Sequence, residues 1–247
     1  MAASTLDPAE IEKFSALAAE WWNPSGPFGA LHRLNPVRLL FIRDLASGHF
    51  AGAGRRPLEG LDVLDLGCGG GLVSAPLARM GGAVTAVDAS AEAIGAARAY
   101  AAQTGLAIDY RCTSAEALVE TGAQFDIVTA LEIIEHVADV GAFLAAAAAL
   151  VKPNGLLVLS TINRTPKARA LAIVGAERIL KWAPEGAHDY DKLVTPDEIR
   201  AGVPTIAWDE PVGITYEPLG RGWSLSRDVS VNYLFAGTKS AATQSPA

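Results

Sequence analysis

The segment Val63-Leu64-Asp65-Leu66-Gly67-Cys68-Gly69-Gly70-Gly71 runs an apolar stretch directly into glycines. A short apolar run of this kind reads as a buried strand. The glycines let the backbone turn sharply toward a helix N-terminus and come closer to a ligand than side chains would permit. That junction recurs in weaker form along the centre of the chain. Residues 62–66, 83–88, 108–111, 125–130 and 156–161 read as strands, and 72–80, 91–104 and 140–150 as the helices between them. Strands separated by helices predict an α/β fold with a doubly wound, mostly parallel sheet, whose ligands sit at the carboxyl ends of the strands. A chain of 247 residues accommodates one large domain of this class, or at most two small ones.

Around that core, residues 1–50 hold a helical extension at 8–22, a Gly/Pro turn at 23–29 and a second helix at 36–47, together a cap for the sheet. The core itself runs over 51–239, with an insertion at 164–191. Thr195-Pro196-Asp197-Glu198 is a helix start, with Thr195 as N-cap and proline in the first helical position. Strands are expected at 213–218 and 231–238, and the small polar stretch 240–247 is expected to be disordered.

Lys and Arg number 20 against 27 Asp and Glu, a net charge of −7, which argues against general binding of nucleic acid because that rests on neutralising phosphates. Half the residues are hydrophobic and mean hydropathy is +0.24, so disorder is excluded too. Cys68 and Cys112 are too few for a disulfide framework, and a reducing, cytoplasmic setting is the expectation. The first residues lack the charged and apolar regions of a secretory signal. The longest apolar stretch, 142–151, is far short of the about 20 residues that cross a bilayer.

The chemistry gathers at the strand ends. Asp88 follows Gly67 by twenty-one positions and closes the second strand, where a carboxylate accepts hydrogen bonds from a ribose diol. Glycines and acid together suit a nucleoside site; a dinucleotide-dependent oxidoreductase and a bare glycine turn share that spacing. Asp65 before the glycines is expected to face the mouth of the site. Downstream, Phe125–Ala130 runs into Leu131-Glu132-Ile133-Ile134-Glu135-His136-Val137, and Leu150-Val151-Lys152-Pro153-Asn154-Gly155 turns into the fifth strand.

In this order and spacing the motifs resemble class I S-adenosylmethionine-dependent methyltransferases, which implies a seven-stranded sheet with an antiparallel last strand, here 231–238. More specific segments are Phe14, Trp21-Trp22-Asn23, Leu31-His32-Arg33-Leu34-Asn35-Pro36-Val37-Arg38, Ser160-Thr161-Ile162-Asn163-Arg164, Val174-Gly175-Ala176-Glu177, His188-Asp189, Asp228-Val229 and Val231-Asn232-Tyr233. These are similar to the ubiquinone biosynthesis O-methyltransferases. The resemblance spans about Ile11 to Thr238. It implies methylation of catechol-type hydroxyls on 2-polyprenyl-6-hydroxyphenol and 3-demethylubiquinol. It also implies cofactor contacts at Arg38, Gly67, Asp88 and Leu131; Gly69 of the same loop is a further candidate contact, and Ser114 and Glu116, after the third strand, are candidates to flank the adenine.

Methyl transfer needs an aligned nucleophile and a way to remove its proton. Glu132, Glu135 and His136 stand at i, i+3 and i+4, so a helix would present them on one face, where they would bind Mg²⁺ or a similar divalent ion. Some members of the resembled family are described as metal-dependent through this segment. The alternatives for His136 are a general base and a hydrogen bond within the cleft. Cys68, His32 and the aromatic trio Phe14, Trp21 and Trp22 read as packing, with a lid over the cofactor or prenyl chain as the functional alternative for the trio. His188 is a candidate neighbour of the substrate.

The polyprenyl tail implies a meeting with a membrane or with a quinone-synthesis complex. Residues 164–181 carry Arg164, Lys167, Arg169, Arg178 and Lys181 against Glu177 alone, a charge of +4 among apolar residues. Such a segment can lie in an anionic lipid interface, as a peripheral contact at the inner membrane, or pack as a lid. Competing readings are a methyltransferase of another small molecule, C-methylation included, and a non-catalytic lipid-binding component of a quinone-synthesis complex.

Overall fold

Alternation of side chains along the strands gives the sheet two apolar faces. The computed structural model describes residues 5–50, 56–171, 189–217 and 222–241. In β1 (Asp62–Leu66), Val63 joins one buried cluster and Leu64 and Leu66 the other. The same division continues through β2 (Ala83–Asp88), β3 (Asp109–Cys112), β4 (Phe125–Leu131) and β5 (Val151–Ile162). Helices α2 (Gly29–His49), α3 (Ser74–Arg79) and α4 (Ala91–Thr104) cover the Val63 face through Leu34, Ile42, Leu77 and Ile94. Helices α5 (Ala115–Glu120), α6 (Val140–Ala149) and α8 (Pro196–Gly202) cover the other, through Leu118, Phe143, Leu144 and Ile199. A sheet so covered on both sides is what parallel strands require.

Strands β6 (Ile206–Trp208), β7 (Val212–Glu217), β8 (Gly222–Ser226) and β9 (Asn232–Lys239) complete a sheet in the order β3-β2-β1-β4-β5-β9-β7-β8, with β6 paired to β9 off this path. The first five strands are parallel and β9 is antiparallel to β5, pairing Leu159 with Phe235. The expected antiparallel strand is therefore present, but it lies inside the sheet between β5 and β7. The described residues form nine strands, not the expected seven. The two additions are β6 and β8; β7 is the strand expected at 213–218.

Chain reversal at β1, with β2 on one side and β4 on the other, is the topological switch point at which open α/β sheets bind ligands. Over it lies the N-terminal cap. Helix α1 (Pro8–Ser15) starts on Asp7, whose side chain accepts from the Ala9 N–H, and stops well before Trp22; a 3₁₀ turn, Ala18–Glu20, follows. The helix expected from Pro36 instead begins at Gly29 and carries Pro36 in its interior. Burial of Gly29, Leu34 and Asn35 extends it backwards past the proline.

Thr195 caps α8 as expected, its side chain accepting from the Glu198 N–H while Glu198 reaches back to the Thr195 N–H. Of the insertion, the structure describes a single turn, α7 (Pro166–Ala168), and the 3₁₀ turn Tyr190–Lys192. Most of the remainder, with Val174–Glu177, Arg178, Lys181 and His188, lies outside the described residues, as do 242–247 of the expected disordered stretch. No helix among the described residues is long and apolar enough to cross a membrane.

Candidate active site

A cleft of about 840 Å³, open mouth included, lies at the carboxyl ends of β1 to β4. Its walls come from the glycine loop (Gly67, Gly69), the end of β2 (Asp88), the start of α5 (Ser114), the segment after β4 (Glu132, Ile133, His136) and the N-terminal cap (Glu10, Phe14, Trp21). Gly67, Gly69 and Gly71 have φ of 67°, 51° and 85°, so the loop uses left-handed backbone that only glycine adopts freely. A Cβ on Gly69 would stand 2.3 Å from the Trp21 ring, and one on Gly67 2.7 Å from Ile133. The glycines thus leave room both for a ligand and for the aromatic that covers it.

Asp88 holds the loop in register. Its Oδ2 accepts from the Gly69 N–H at 2.8 Å and its Oδ1 from the Ser90 N–H at 2.8 Å. Burial pushes its carboxyl above the usual carboxylate range. With apolar Val87, Ile133 and Phe143 nearby, the acid at the end of β2 suits the hydroxyl pair and base of a nucleoside. Ser114 lines the cleft and caps α5, accepting from the Ala117 N–H. Glu116 is turned to the cap, where its carboxylate accepts from the Thr5 hydroxyl.

Arg38 is 2% exposed and pairs with Glu132, Nη2 to Oε1 at 2.8 Å; its Nε has no hydrogen-bond partner among the described residues. A buried guanidinium with an unused donor is suited to a carboxylate. Glu132, the ion-pair partner of Arg38, and Ile133, next along the chain from Leu131, line the cleft. Asp65 departs from expectation: it is 2% exposed, turned away from the mouth, and accepts from Ser74 Oγ at 2.5 Å and Thr129 Oγ1 at 2.9 Å. Burial pushes its pKa up to about 6 against the hydrogen bonds that favour the carboxylate. The alternation of β1 explains this, since Asp65 shares the face of Val63 beneath α3.

The expected helix through Glu132, Glu135 and His136 does not form. Strand β4 continues to Leu131, Glu132 takes φ 52°, and only Ile134–His136 make a 3₁₀ turn. The three side chains each meet a different neighbour. Glu132 accepts from Ser160 Oγ at 2.7 Å and Asn232 Nδ2 at 3.3 Å besides its pair with Arg38. Glu135, 3% exposed, accepts from Thr161 Oγ1 at 2.9 Å. His136 Nδ1 meets Glu10 Oε2 at 3.0 Å. Among the described residues no group of three or more His, Cys, Asp and Glu side chains is placed to hold a metal ion, so the expected metal triad is not assembled.

The cap is tied down at several points. Trp22 Nε1 donates to the Gly70 carbonyl at 2.9 Å, Trp21 stacks on Phe28 with centroids 3.8 Å apart, and Ser15 Oγ meets Ser90 Oγ at 2.7 Å. The Trp–Trp pair therefore packs, as read, and covers the loop as well. His32 Nε2 lies 2.8 Å from the Trp21 carbonyl, a structural role. Cys68 is buried, which pushes its thiol well above the usual value and leaves it unreactive. Glu10 was not singled out by its sequence, because its partner is 126 positions away.

Known proteins resemble this chain in sequence and in fold. The methyltransferase domain family matches residues 64–159. The chain is 51% identical over 237 residues to the ubiquinone biosynthesis O-methyltransferase of Parvibaculum lavamentivorans, covering 94% of each. It is 48% identical over 243 residues to the protein of that name from Chelativorans, covering 97% of this chain and 96% of the other. Among solved structures, magnesium protoporphyrin IX methyltransferase from Synechocystis with bound S-adenosylhomocysteine superposes with a TM-score of 0.62 at 18% identity, over 93% of this chain and 95% of that one. An S-adenosylmethionine-dependent methyltransferase from Thermotoga maritima gives 0.63 at 16% identity, over 93% and 99%. At such identities these two structures speak for the fold alone.

Proposed function

The chain belongs to the ubiquinone biosynthesis O-methyltransferases, and from that premise we propose that it methylates the catechol-type hydroxyls of 2-polyprenyl-6-hydroxyphenol and 3-demethylubiquinol. S-adenosylmethionine is the methyl donor. When bound it supplies a methyl group already activated on a sulfonium sulfur.

The protein's own task is to bind, orient and deprotonate. In this reading Gly67 and Gly69 admit the donor to the backbone, Asp88 accepts from its ribose hydroxyls, and Arg38 takes its carboxylate. His136, which lines the cleft, takes the phenolic proton in this reading. Glu132, Glu135 and His136 each hydrogen-bond a different neighbour, and no step here is routed through a metal. The observation that carries the reading is the near half identity over almost the full length of relatives bearing this name; the acid and glycine loop joined by the Asp88–Gly69 hydrogen bond support it.

The test is direct. Purified protein incubated with S-adenosylmethionine and a short-chain 2-prenyl-6-hydroxyphenol or 3-demethylubiquinol should yield S-adenosylhomocysteine and the methyl ether in equal amounts by mass spectrometry. Absence of both methyl ethers, with S-adenosylhomocysteine still bound in calorimetry, would remove the assigned acceptors.

A further inference from the structure

The cap brings two adjacent indoles to the glycine loop, and only one of them is satisfied. Trp22 Nε1 donates to the Gly70 carbonyl at 2.9 Å. Trp21 is 8% exposed and its ring lines the cleft, yet its Nε1 is buried with no hydrogen-bond partner among the described residues. The ring is held fast. Phe28 stacks on it with centroids 3.8 Å apart and planes 3° from parallel, and His32 Nε2 lies 2.8 Å from the Trp21 carbonyl. The loop runs along the indole: a Cβ on Gly70 would lie 2.3 Å from Cγ, and one on Gly69 2.3 Å from Cζ2 and 3.0 Å from Cε2, the carbon that carries Nε1. A buried N–H without an acceptor is costly, and native structures hold few of them. Gly69 also ties this N–H to an acid, because its own N–H donates to Asp88 Oδ2 at 2.8 Å. The unpaired indole and the carboxylate thus border one glycine on the wall of the cleft.

We propose that Trp21 is a binding residue for S-adenosylmethionine, its indole N–H donating to the oxygen of a ribose hydroxyl whose own hydrogen goes to Asp88. The two side chains are complementary. A hydroxyl offers one hydrogen and two lone pairs; an ionised carboxylate only accepts and an indole N–H only donates, so together they use both capacities of one group. The carboxylate end of S-adenosylmethionine has Arg38 to meet it, whose Nε is likewise without a partner among the described residues, and this leaves the sugar to Trp21. The proposal rests on the reading of Asp88 as the acid that holds the ribose. Because Trp21 belongs to the cap, the cap recognises the sugar as well as covering it.

Calorimetry on the wild type and Trp21→Phe, which keeps a ring and loses the N–H, tests this with S-adenosylhomocysteine, its 2′-deoxy and 3′-deoxy analogues, and 5′-methylthioadenosine. Trp21→Phe should weaken S-adenosylhomocysteine by about 5- to 30-fold, the range of one hydrogen bond at a buried group. 5′-Methylthioadenosine keeps the ribose and lacks the amino-acid end, so the same loss is expected for it. One of the two deoxy analogues should bind both proteins within about twofold, because its missing oxygen is the acceptor. An equal loss across all four ligands overturns the proposal and leaves the indole as packing. So does a loss that vanishes for 5′-methylthioadenosine, which gives the N–H to the amino-acid end, and so does no loss at all. If the wild type holds both deoxy analogues as tightly as S-adenosylhomocysteine, the ribose reading of Asp88 falls, and the proposal with it. Should Trp21→Phe not fold, the wild type carries the test by nuclear magnetic resonance. Among its five tryptophans, the indole N–H signal with Overhauser contacts to Phe28 should move downfield with S-adenosylhomocysteine and hold still with the matching deoxy analogue. A signal that does not respond to S-adenosylhomocysteine overturns the proposal.

Discussion

Glu132 and Asp65 each bend a local rule at the edge of the cleft. Glu132 holds a left-handed φ of 52°, a conformation that costs a residue with a Cβ about 1 kcal/mol or more. Arg38, Ser160 and Asn232 grip its carboxylate and keep the backbone there. That bend, invisible to a 3.6-residue period, is why the spacing of Glu132, Glu135 and His136 misled. Asp65 carries a pH consequence. The unfolded chain releases this proton near 3.8 and the folded one near 6, so the native state binds more protons between those values. Its contribution to stability is fully present below pH 3.8 and is lost as pH rises to about 6, by about 3 kcal/mol. Urea unfolding of the wild type and Asp65→Asn across that range should show the wild type losing ground with rising pH and a level difference above it; a constant difference throughout would contradict the assignment.

At the level of elements, the loop and its cover are fitted to each other. A Cβ on Gly70 would lie 2.3 Å from Trp21 Cγ, and the Gly70 carbonyl accepts the Trp22 indole N–H. Gly70→Ala is therefore expected to cost about 1–3 kcal/mol in urea unfolding and to weaken S-adenosylhomocysteine binding in calorimetry. In a Trp21→Ala background the stability penalty should fall below about 1 kcal/mol, because the clash has gone. An equal penalty in both backgrounds would place the strain elsewhere.

Much of this architecture was legible. Strands β1 and β2 and helix α4 have the bounds their residues predict, since buried β-branched runs and Ala-rich segments leave little ambiguity. Thr195 announced its capping box. The start of α2 was hidden by Pro36, whose missing N–H marks a helix start more often than an interior. Strand β6 spans only three residues, and β8, Gly-Trp-Ser-Leu-Ser, has no buried residue and lacks the apolar run that marks β1. At the cleft, the left-handed turns at Gly67 and Gly69 were readable because that backbone favours glycine, and Asp88 lines the cleft beside them. The inward turn of Asp65 and the Glu10–His136 contact depend on packing between distant segments, which no local pattern encodes.

For the molecule as a whole, the charge is unevenly placed and partly paired at the surface. Residues 164–181 hold +4 of a chain that sums to −7. Within the described part, Arg164 pairs with Glu198, Lys167 Nζ lies 2.5 Å from Asp228 Oδ2, and Arg169 sits over the Tyr190 ring. Leu171 beside them is 53% exposed. If this segment meets an anionic lipid surface, replacing Lys167, Arg169, Arg178 and Lys181 by Gln should cut flotation with phosphatidylglycerol vesicles by about tenfold or more, at about 1 kcal/mol per basic residue. Phosphatidylcholine vesicles should bind both proteins equally weakly. Unchanged flotation on the anionic vesicles would exclude the electrostatic contact.

The position of β9 sets a timetable for biogenesis. Strands β5 and β7 each pair with it and not with each other, yet both are translated first. As the nascent chain lengthens, β1 to β5 can assemble early, as N-terminal units generally do. The β7–β8 hairpin then waits without a neighbour, and the exposed flank of β5 waits with it, a pairing surface open to other chains. Only the emergence of residues 232–239 from the ribosome closes that gap. A stalled or prematurely terminated product would therefore carry a complete glycine loop on an unfinished sheet, an object for chaperones and proteases.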